Sequence, residues 1–400
     1  MNQLFLLNEK LRNDVGDESF LKGQPRLIDE HLYLDKLRLG LTEAEVARQF
    51  GEIADECWIL LELALFFMRR NDHLSWIAES LFVRCLQVSR NHHSDGGRYH
   101  ATLKYLYGRF LLEQLQRPAD ACSQLQQART ASIGKVWRAE TQLGQHQETI
   151  FVESCSLLVK ALLLLAEEIT EDEPKRAIRL CNQAKRRASE ARSESLESEA
   201  LLQLGMSQMA NGDYNSAIRS FNLFIKRKER EKSVEVCNAY LNLAVCYKMT
   251  GNTEATLSNL TYLRDTAESE QLIQQIGAAD RFLGEFYLTM GFNDRAISHL
   301  SSSFSLYHKN GFIQELEEIR ALGAVASGQG IFHTLVDNIL ENSDSSLNSL
   351  YRWKNLHTPL LRPDKSESRH SIMYGFLHAR SKSEIKLAKT VLSKDEAIFK

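Results

Sequence analysis

Residues 204–221 read LGMSQMANGDYNSAIRSF, and this stretch decides the fold. Leu204-Gly205 belongs to an apolar run, Gly212-Asp213-Tyr214 interrupts it, and Ala217 and Phe221 mark a second run. Glycine enters the left-handed conformation without steric cost, so Gly212 reads as the stop of one helix before a reversal. Gly205 and Ala217 are small where the two helices would cross closely, and Phe221 follows four positions on along the second helix.

The unit recurs. Gly212, Gly251, Gly291 and Gly330 follow one another at intervals of 39, 40 and 39 residues. Seven positions before each glycine stands a small residue, Gly205, Ala244, Gly284 and Gly323. Five positions after come Ala217, Thr256, Ala296 and Leu335, and four further on Phe221, Leu260, Leu300 and Ile339. These are the mutual offsets of a tetratricopeptide repeat, which pairs Leu-Gly on one helix with Ala and Phe on the next. Tyr247 and Tyr287 keep the signature tyrosine, Gln208 does not, and Thr256 takes the place of the small alanine. Each pair buries only one face, so about three or more units must stack to make a core. The spacing exceeds the roughly 34 residues usual for this repeat, which lengthens the helices by a turn or more per unit.

Working backwards, Leu165 takes the small position one unit earlier, with Pro174 in the turn and Ala177, Cys181 and Ala184 on the following helix. Gly108 opens another pair, whose second helix carries Ala121, Leu125 and Ala128 after Pro118. The first pair is placed after Thr42, where Thr42 and Glu45 form a capping-box pattern, running to about Met68 and then across Ile77, Leu81, Cys85 and Val88. The expected fold is therefore all-α, a right-handed α-solenoid of tetratricopeptide-like helix-turn-helix units of about 40 residues. Its expected parts are a partly helical N-terminal segment, 1–41, a solenoid of about seven helical pairs, 42–357, and a basic C-terminal tail, 358–400.

Only five prolines and 20 glycines interrupt 400 residues, and no strand-like alternation with turn dipeptides occurs, so no sheet is expected. A net charge of −3 favours neither nucleic acid nor a membrane surface as partner. Met1–Glu9 lacks the basic flank of a secretory signal or transit peptide. The most apolar windows, Cys57–Met68 and Leu157–Ala166, contain Glu62 and Lys160 and fall short of a membrane span of roughly 20 residues. Seven cysteines without a CxxC pair, five of them on apolar helical faces (Cys57, Cys85, Cys155, Cys181 and Cys246), read as reduced core residues.

The motifs of chemistry are missing from the sequence. It contains no P-loop, no Gly-x-Ser-x-Gly elbow and no His-Glu-x-x-His. His92, His93 and His100 lack a thiolate or carboxylate partner at ligand spacing and read as loop polarity. No catalytic residue, cofactor site or metal site is expected. Two basic runs, Lys185-Arg186-Arg187 and Lys226-Arg227-Lys228 continuing through Arg230 and Lys232, lie late in second helices, where cations complement the negative helix end. From Arg362 onward nine Lys or Arg stand against five Asp or Glu, a solvated tail or a docking segment for an acidic partner such as a microtubule surface.

A repeat array without chemistry works by binding. A carboxylate clamp of the co-chaperone kind needs Lys, Asn, Asn, Lys and Arg on three successive first helices, and the equivalent positions are Leu202, Met206, Asn242, Ala278 and Phe282, one match in five. On the concave side the first helices are expected to present Leu202, Met206, Asn238, Leu241, Lys248, Arg281 and Glu285, apolar anchors among charges, a surface for a helical or extended protein segment. The other reading of that surface is that the array's own termini cover part of it.

Two linking segments carry a more particular resemblance. Gly134-Lys135-Val136-Trp137-Arg138-Ala139-Glu140-Thr141 and Leu347-Asn348-Ser349-Leu350-Tyr351-Arg352-Trp353-Lys354, with the order and length of the units, resemble the tetratricopeptide repeat protein 29 family over roughly residues 25–355. The resemblance implies a non-catalytic subunit or adaptor of the inner-arm dynein system in the axoneme of motile cilia and sperm flagella. Its implied partners are axonemal dynein subunits or other ciliary proteins, with no nucleic acid and no membrane. A generic cytosolic repeat adaptor or a co-chaperone is the alternative.

Overall fold

A computed structural model describes residues 30–69, 74–90, 95–139, 148–228, 233–341, 344–358 and 360. The described residues contain fifteen helices and no strand, an all-α fold. The chain divides into two compact units, 1–227 and 228–400.

In the first unit α1 is His31–Phe50, α2 Ile53–Met68, α3 Ser75–Ser89, α4 Arg98–Glu113, α5 Pro118–Ala131, α6 Ile150–Ile169, α7 Pro174–Glu190, α8 Glu194–Ala210 and α9 Tyr214–Arg227. Helix α2 packs on α3, α4 on α5, α6 on α7 and α8 on α9, and each pair also touches the next through α5 on α6 and α7 on α8. The second unit repeats the plan with α10 Val234–Met249, α11 Thr253–Ser269, α12 Ile273–Thr289, α13 Asn293–Asn310, α14 Ile313–Glu341 and α15 Asp344–Leu356. The solenoid pattern of paired helices read in the sequence is thus present in each unit.

The turn glycines behave as their chemistry dictates. Gly212, Gly251 and Gly291 have φ of 77°, 79° and 80°. An alanine there must carry its Cβ into the left-handed region, at about 1–2 kcal/mol. Gly251→Ala is accordingly expected to lower the stability of the second unit by about 1 kcal/mol. A urea midpoint unchanged by that substitution would remove the requirement for glycine.

At the helix crossings small meets large. A Cβ on Gly205 would lie 2.6 Å from the Phe221 ring, one on Gly108 2.7 Å from Leu125, and one on Gly284 2.6 Å from Leu300. Ala217 and Ala296 are fully buried. Thr256 fits the same place because its hydroxyl donates to the Asn252 carbonyl 2.8 Å away, so the buried polar atom is satisfied within its own helix.

Four expectations are corrected. Gly330 does not end a helix, because α14 runs through it to Glu341. After Gly212 and Gly251 a polar side chain caps the next helix, Asp213 Oδ1 accepting from the Ser216 amide and Asn252 Oδ1 from that of Ala255. The cap is not what decides, since Phe292 after Gly291 makes no side-chain cap bond and the chain still reverses there, as it does not at Gly330. The expected fourth-unit partners Leu335 and Ile339 are accordingly half-buried and exposed rather than core. Thr42 is not a helix start either. It lies in the middle of α1, its hydroxyl donating to the Arg38 carbonyl at 2.7 Å, and the break comes at Gly51, φ 77°. Leu165 is half-buried, and the buried small residue beside Ala177 and Cys181 is Ala166. Ala166 stands three residues before the end of α6, where Gly205 stands five before the end of α8, so even with a turn longer by one the small residue comes one position nearer to the second helix.

Residues 1–29 and 361–400, with His92, His93, Arg230 and Lys232, lie outside the described residues.

Candidate partner-binding face

The second unit holds five of the seven expected surface residues, on α10 and α12. Asn238 and Lys248 are exposed, and Leu241, Arg281 and Glu285 are half-buried. Leu241 leans on the core cluster of Cys237, Ala244, Leu260 and Leu283. The charges are paired. Lys248 Nζ lies 2.7 Å from Glu285 Oε1, joining α10 to α12. Arg281 Nη1 lies 2.9 Å from Glu318 Oε2, joining α12 to α14, while its guanidinium sits over the Phe282 ring at 4.2 Å. Both pairs span 37 residues in sequence, but they are two different contacts, because Arg281 follows Lys248 by 33 residues and the units repeat at 39 or 40. Lys248 and Arg281 have no evident packing role in the sequence. The structure corrects this: both fasten one first helix to the next. Pairs this exposed contribute about 0–1 kcal/mol each, which leaves them exchangeable for a partner's charges.

In the first unit Leu202 and Met206 lie on α8 and are half-buried, next to the fully packed Leu201, Leu204 and Gly205. The carboxylate-clamp positions are filled as the sequence states, with Asn242, Ala278 and Phe282 half-buried.

A group that sequence reasoning missed lies behind this face. Asp280 on α12 is fully buried, its Oδ1 2.9 Å from His299 Nδ1 and its Oδ2 accepting from the Ser302 hydroxyl at 2.7 Å, with Arg264 Nε 3.6 Å away. The His299 ring stacks on Tyr287. The carboxylate so joins α11, α12 and α13. One signal was available in the sequence, since Asp280 stands four residues before Gly284 and therefore on the crossing face of an otherwise apolar helix.

The basic runs are tied into the array. Glu190 takes Arg129 through both oxygens, at 2.7 and 2.8 Å, and Arg187 at 2.9 Å. Arg227 pairs with Glu197 at 2.5 Å. His100 Nδ1 is 2.7 Å from the Ser89 hydroxyl. All seven cysteines are free thiols, six of them buried and Cys122 half-buried. Burial pushes the Cys122 thiol up to about 12, and burial aided by the neighbouring Glu56 carboxylate does the same for Cys57. Burial raises Cys181 and Cys246 to about 11. These thiols stay protonated at neutral pH and are poor nucleophiles. No group of three or more metal-ligating side chains occurs among the described residues, and no helix there is long and apolar enough to cross a membrane.

Comparison with known proteins agrees with the repeat. The tetratricopeptide repeat family model matches residues 199–227, the α8–α9 pair. Tetratricopeptide repeat protein 29 of Macaca fascicularis is 24% identical over 358 residues, covering 88% of this chain and 74% of that protein. The Homo sapiens protein of the same name is 23% identical over the same shares. Among solved structures, BtubC (BKLC) of P. vanneervenii is 17% identical and covers 64% of this chain and 96% of its own at a TM-score of 0.39. A Rap protein complexed with competence and sporulation factor is 13% identical over 90% and 99% at 0.39. Scores this low add nothing to the helix pairing described above. By its helix pairs and its glycine turns the chain is built of tetratricopeptide-like helical repeats, and by its relatives it is similar to tetratricopeptide repeat protein 29.

Proposed function

We propose that this chain is a non-catalytic protein–protein interaction scaffold, a subunit or adaptor of the axonemal inner-arm dynein system that drives cilia and sperm flagella. The observation that supports the reading is the extent of the similarity, 88% of the chain against a family match confined to 199–227. Partner segments lie against the first helices, in the second unit at Asn238, Leu241, Lys248, Arg281 and Glu285, and in the first at Leu202 and Met206. Half-buried apolar side chains beside exposed, exchangeable charges suit a helical or extended protein segment.

Loss of the chain is expected to leave cells viable and to impair beating, with the protein retained in the axonemal fraction after detergent extraction. Full recovery in soluble cytosol together with normal beating in the null would leave the alternative, a generic repeat adaptor or co-chaperone. At the surface itself, Lys248→Glu with Arg281→Glu is expected to weaken partner capture while changing stability by about 1 kcal/mol or less per pair. Lys248→Glu with Glu285→Lys is the control, because it rebuilds the ion pair in reverse. If the reversed pair captures normally, the charges serve only to fasten α10 to α12.

A further inference from the structure

The pattern Ala-Ile-Arg-x-x-Asn occurs twice, at 177–182 on α7 and at 217–222 on α9, 40 residues apart. Ala177 and Ala217 pack in the core, so part of this likeness belongs to the repeat. The Arg and Asn do not. Arg179 and Asn182 point away from Ala177, Cys181, Ala184 and Ala188, and Arg219 and Asn222 away from Ala217, Phe221 and Phe224. One turn further on, each of these outward stripes ends in an exposed cation, Arg186 and Lys226, and Lys175 begins that of α7. The equivalent positions are Ser258, Thr261 and Asp265 on α11 and Ser298, Ser301 and Ser305 on α13, although Ala296-Ile297 keeps the packing pair there. The repeat therefore does not require the cations. Neither do the helix ends, because Lys175 stands in the first turn of α7, where the helix dipole disfavours a cation, and Arg179 and Arg219 lie beyond the first turn and before the last.

Six Lys or Arg in α7 and three in α9 stand against one acidic residue, Glu190, which Arg129 and Arg187 already hold. Lys175, Arg179, Arg186 and Lys226 form no ion pair among the described residues, and Arg219 donates to the Ser216 hydroxyl at 2.9 Å. Both helices pack on α8, whose Glu197 accepts from Ser189 of α7 and from Arg227 of α9, so their C-terminal ends meet at one carboxylate. From Lys175 to Arg186 the stripe is about 16 Å long, the reach of about five extended residues. Asn182 Nδ2 is taken by the Ile178 carbonyl, which leaves its Oδ1 to accept from a peptide N–H. Neither helix exposes an aromatic ring on which a base could stack. Leu223 is their one large exposed apolar side chain, too little to enter a bilayer. Glu171, Asp172 and Glu173 stand exposed before α7 and Asp213 before α9. A continuous polyphosphate running along the stripes would meet these carboxylates, whereas a short acidic peptide ends before it reaches them.

We propose that the outer face of α7 and α9 is a docking surface for a short acidic protein segment, whose carboxylates pair with Arg179, Arg186, Arg219 and Lys226. It is separate from the surface on the first helices, because two second helices supply it. Fluorescence anisotropy of a labelled hexaglutamate peptide titrated with the full chain tests this. Arg179→Glu/Arg219→Glu is expected to weaken binding roughly tenfold or more with an unchanged urea midpoint, since both side chains are exposed and opposite the core. Arg186→Glu/Lys226→Glu is expected to do the same. Lys248→Glu/Arg281→Glu, on the first helices, is expected to leave the affinity within about twofold, because salt screens charges that do not touch the peptide. Absence of hexaglutamate binding to the wild-type chain overturns the proposal. So does undiminished binding to the first two variants, which places the site on another basic region such as 362–400. Equal weakening in all three variants overturns it as well, since the attraction is then that of net charge. Tighter binding of a short oligothymidylate or of phosphatidylserine vesicles, lost in the first two variants, would assign the face to a nucleic acid or a membrane instead.

Discussion

Replacing Phe221 by alanine is expected to cost about 3–5 kcal/mol, the range for removing a fully buried phenyl group. Phe221 is 0% exposed, and its ring fills the space left by the missing side chain of Gly205. Because the contact has two sides, the opposite change is informative as well. Gly205→Ala brings a Cβ to 2.6 Å from Phe221 Cε1, so ring or helix must move, at about 1–3 kcal/mol. Phe221→Leu in the Gly205→Ala background is expected to recover part of that loss, giving a coupling energy of about 1 kcal/mol in a double-mutant cycle. Urea unfolding followed by circular dichroism measures all four proteins. Additive losses would mean that the two residues do not sense each other and that the small-to-large rule does not set the crossing.

The second large effect is expected at Asp280. Asp280→Ala removes a buried carboxylate held by His299 and Ser302, with Arg264 near it. Breaking a buried charged network by deleting one member costs about 3–5 kcal/mol. The lower end is expected here, because His299 and Arg264 keep some access to solvent. Asp280→Asn preserves shape and can still accept from Ser302, so it is expected to retain roughly half of the stability lost by the alanine variant. Equal losses for both would assign the whole effect to charge.

The sequence was most legible where the physics is local. A glycine that ends a helix and an alanine that lets two helices touch act through their own backbone and Cβ, and Gly212, Gly251, Gly291, Ala217 and Ala296 all do as their spacing implies. Gly330 misled because a glycine permits a reversal without compelling one, and α14 runs straight through it. The start of α1 was illegible for the same kind of reason, since Glu30 at its head makes no side-chain cap bond while Thr42, in mid-helix, resembles one. The pairs Lys248–Glu285 and Arg281–Glu318 depend on which residues two separate helices bring together, information that periodicity along one helix does not hold.

The thiols distributed through the array amount to a set of internal clocks. Cys57, Cys85, Cys122, Cys155, Cys181, Cys237 and Cys246 sit on α2, α3, α5, α6, α7 and α10, each held protonated by its surroundings. An alkylating reagent can modify such a sulfur only during the moments when its helix pair opens. Timing the labelling of each cysteine by mass spectrometry would therefore record, without any engineered probe, the order in which the pairs breathe along the chain.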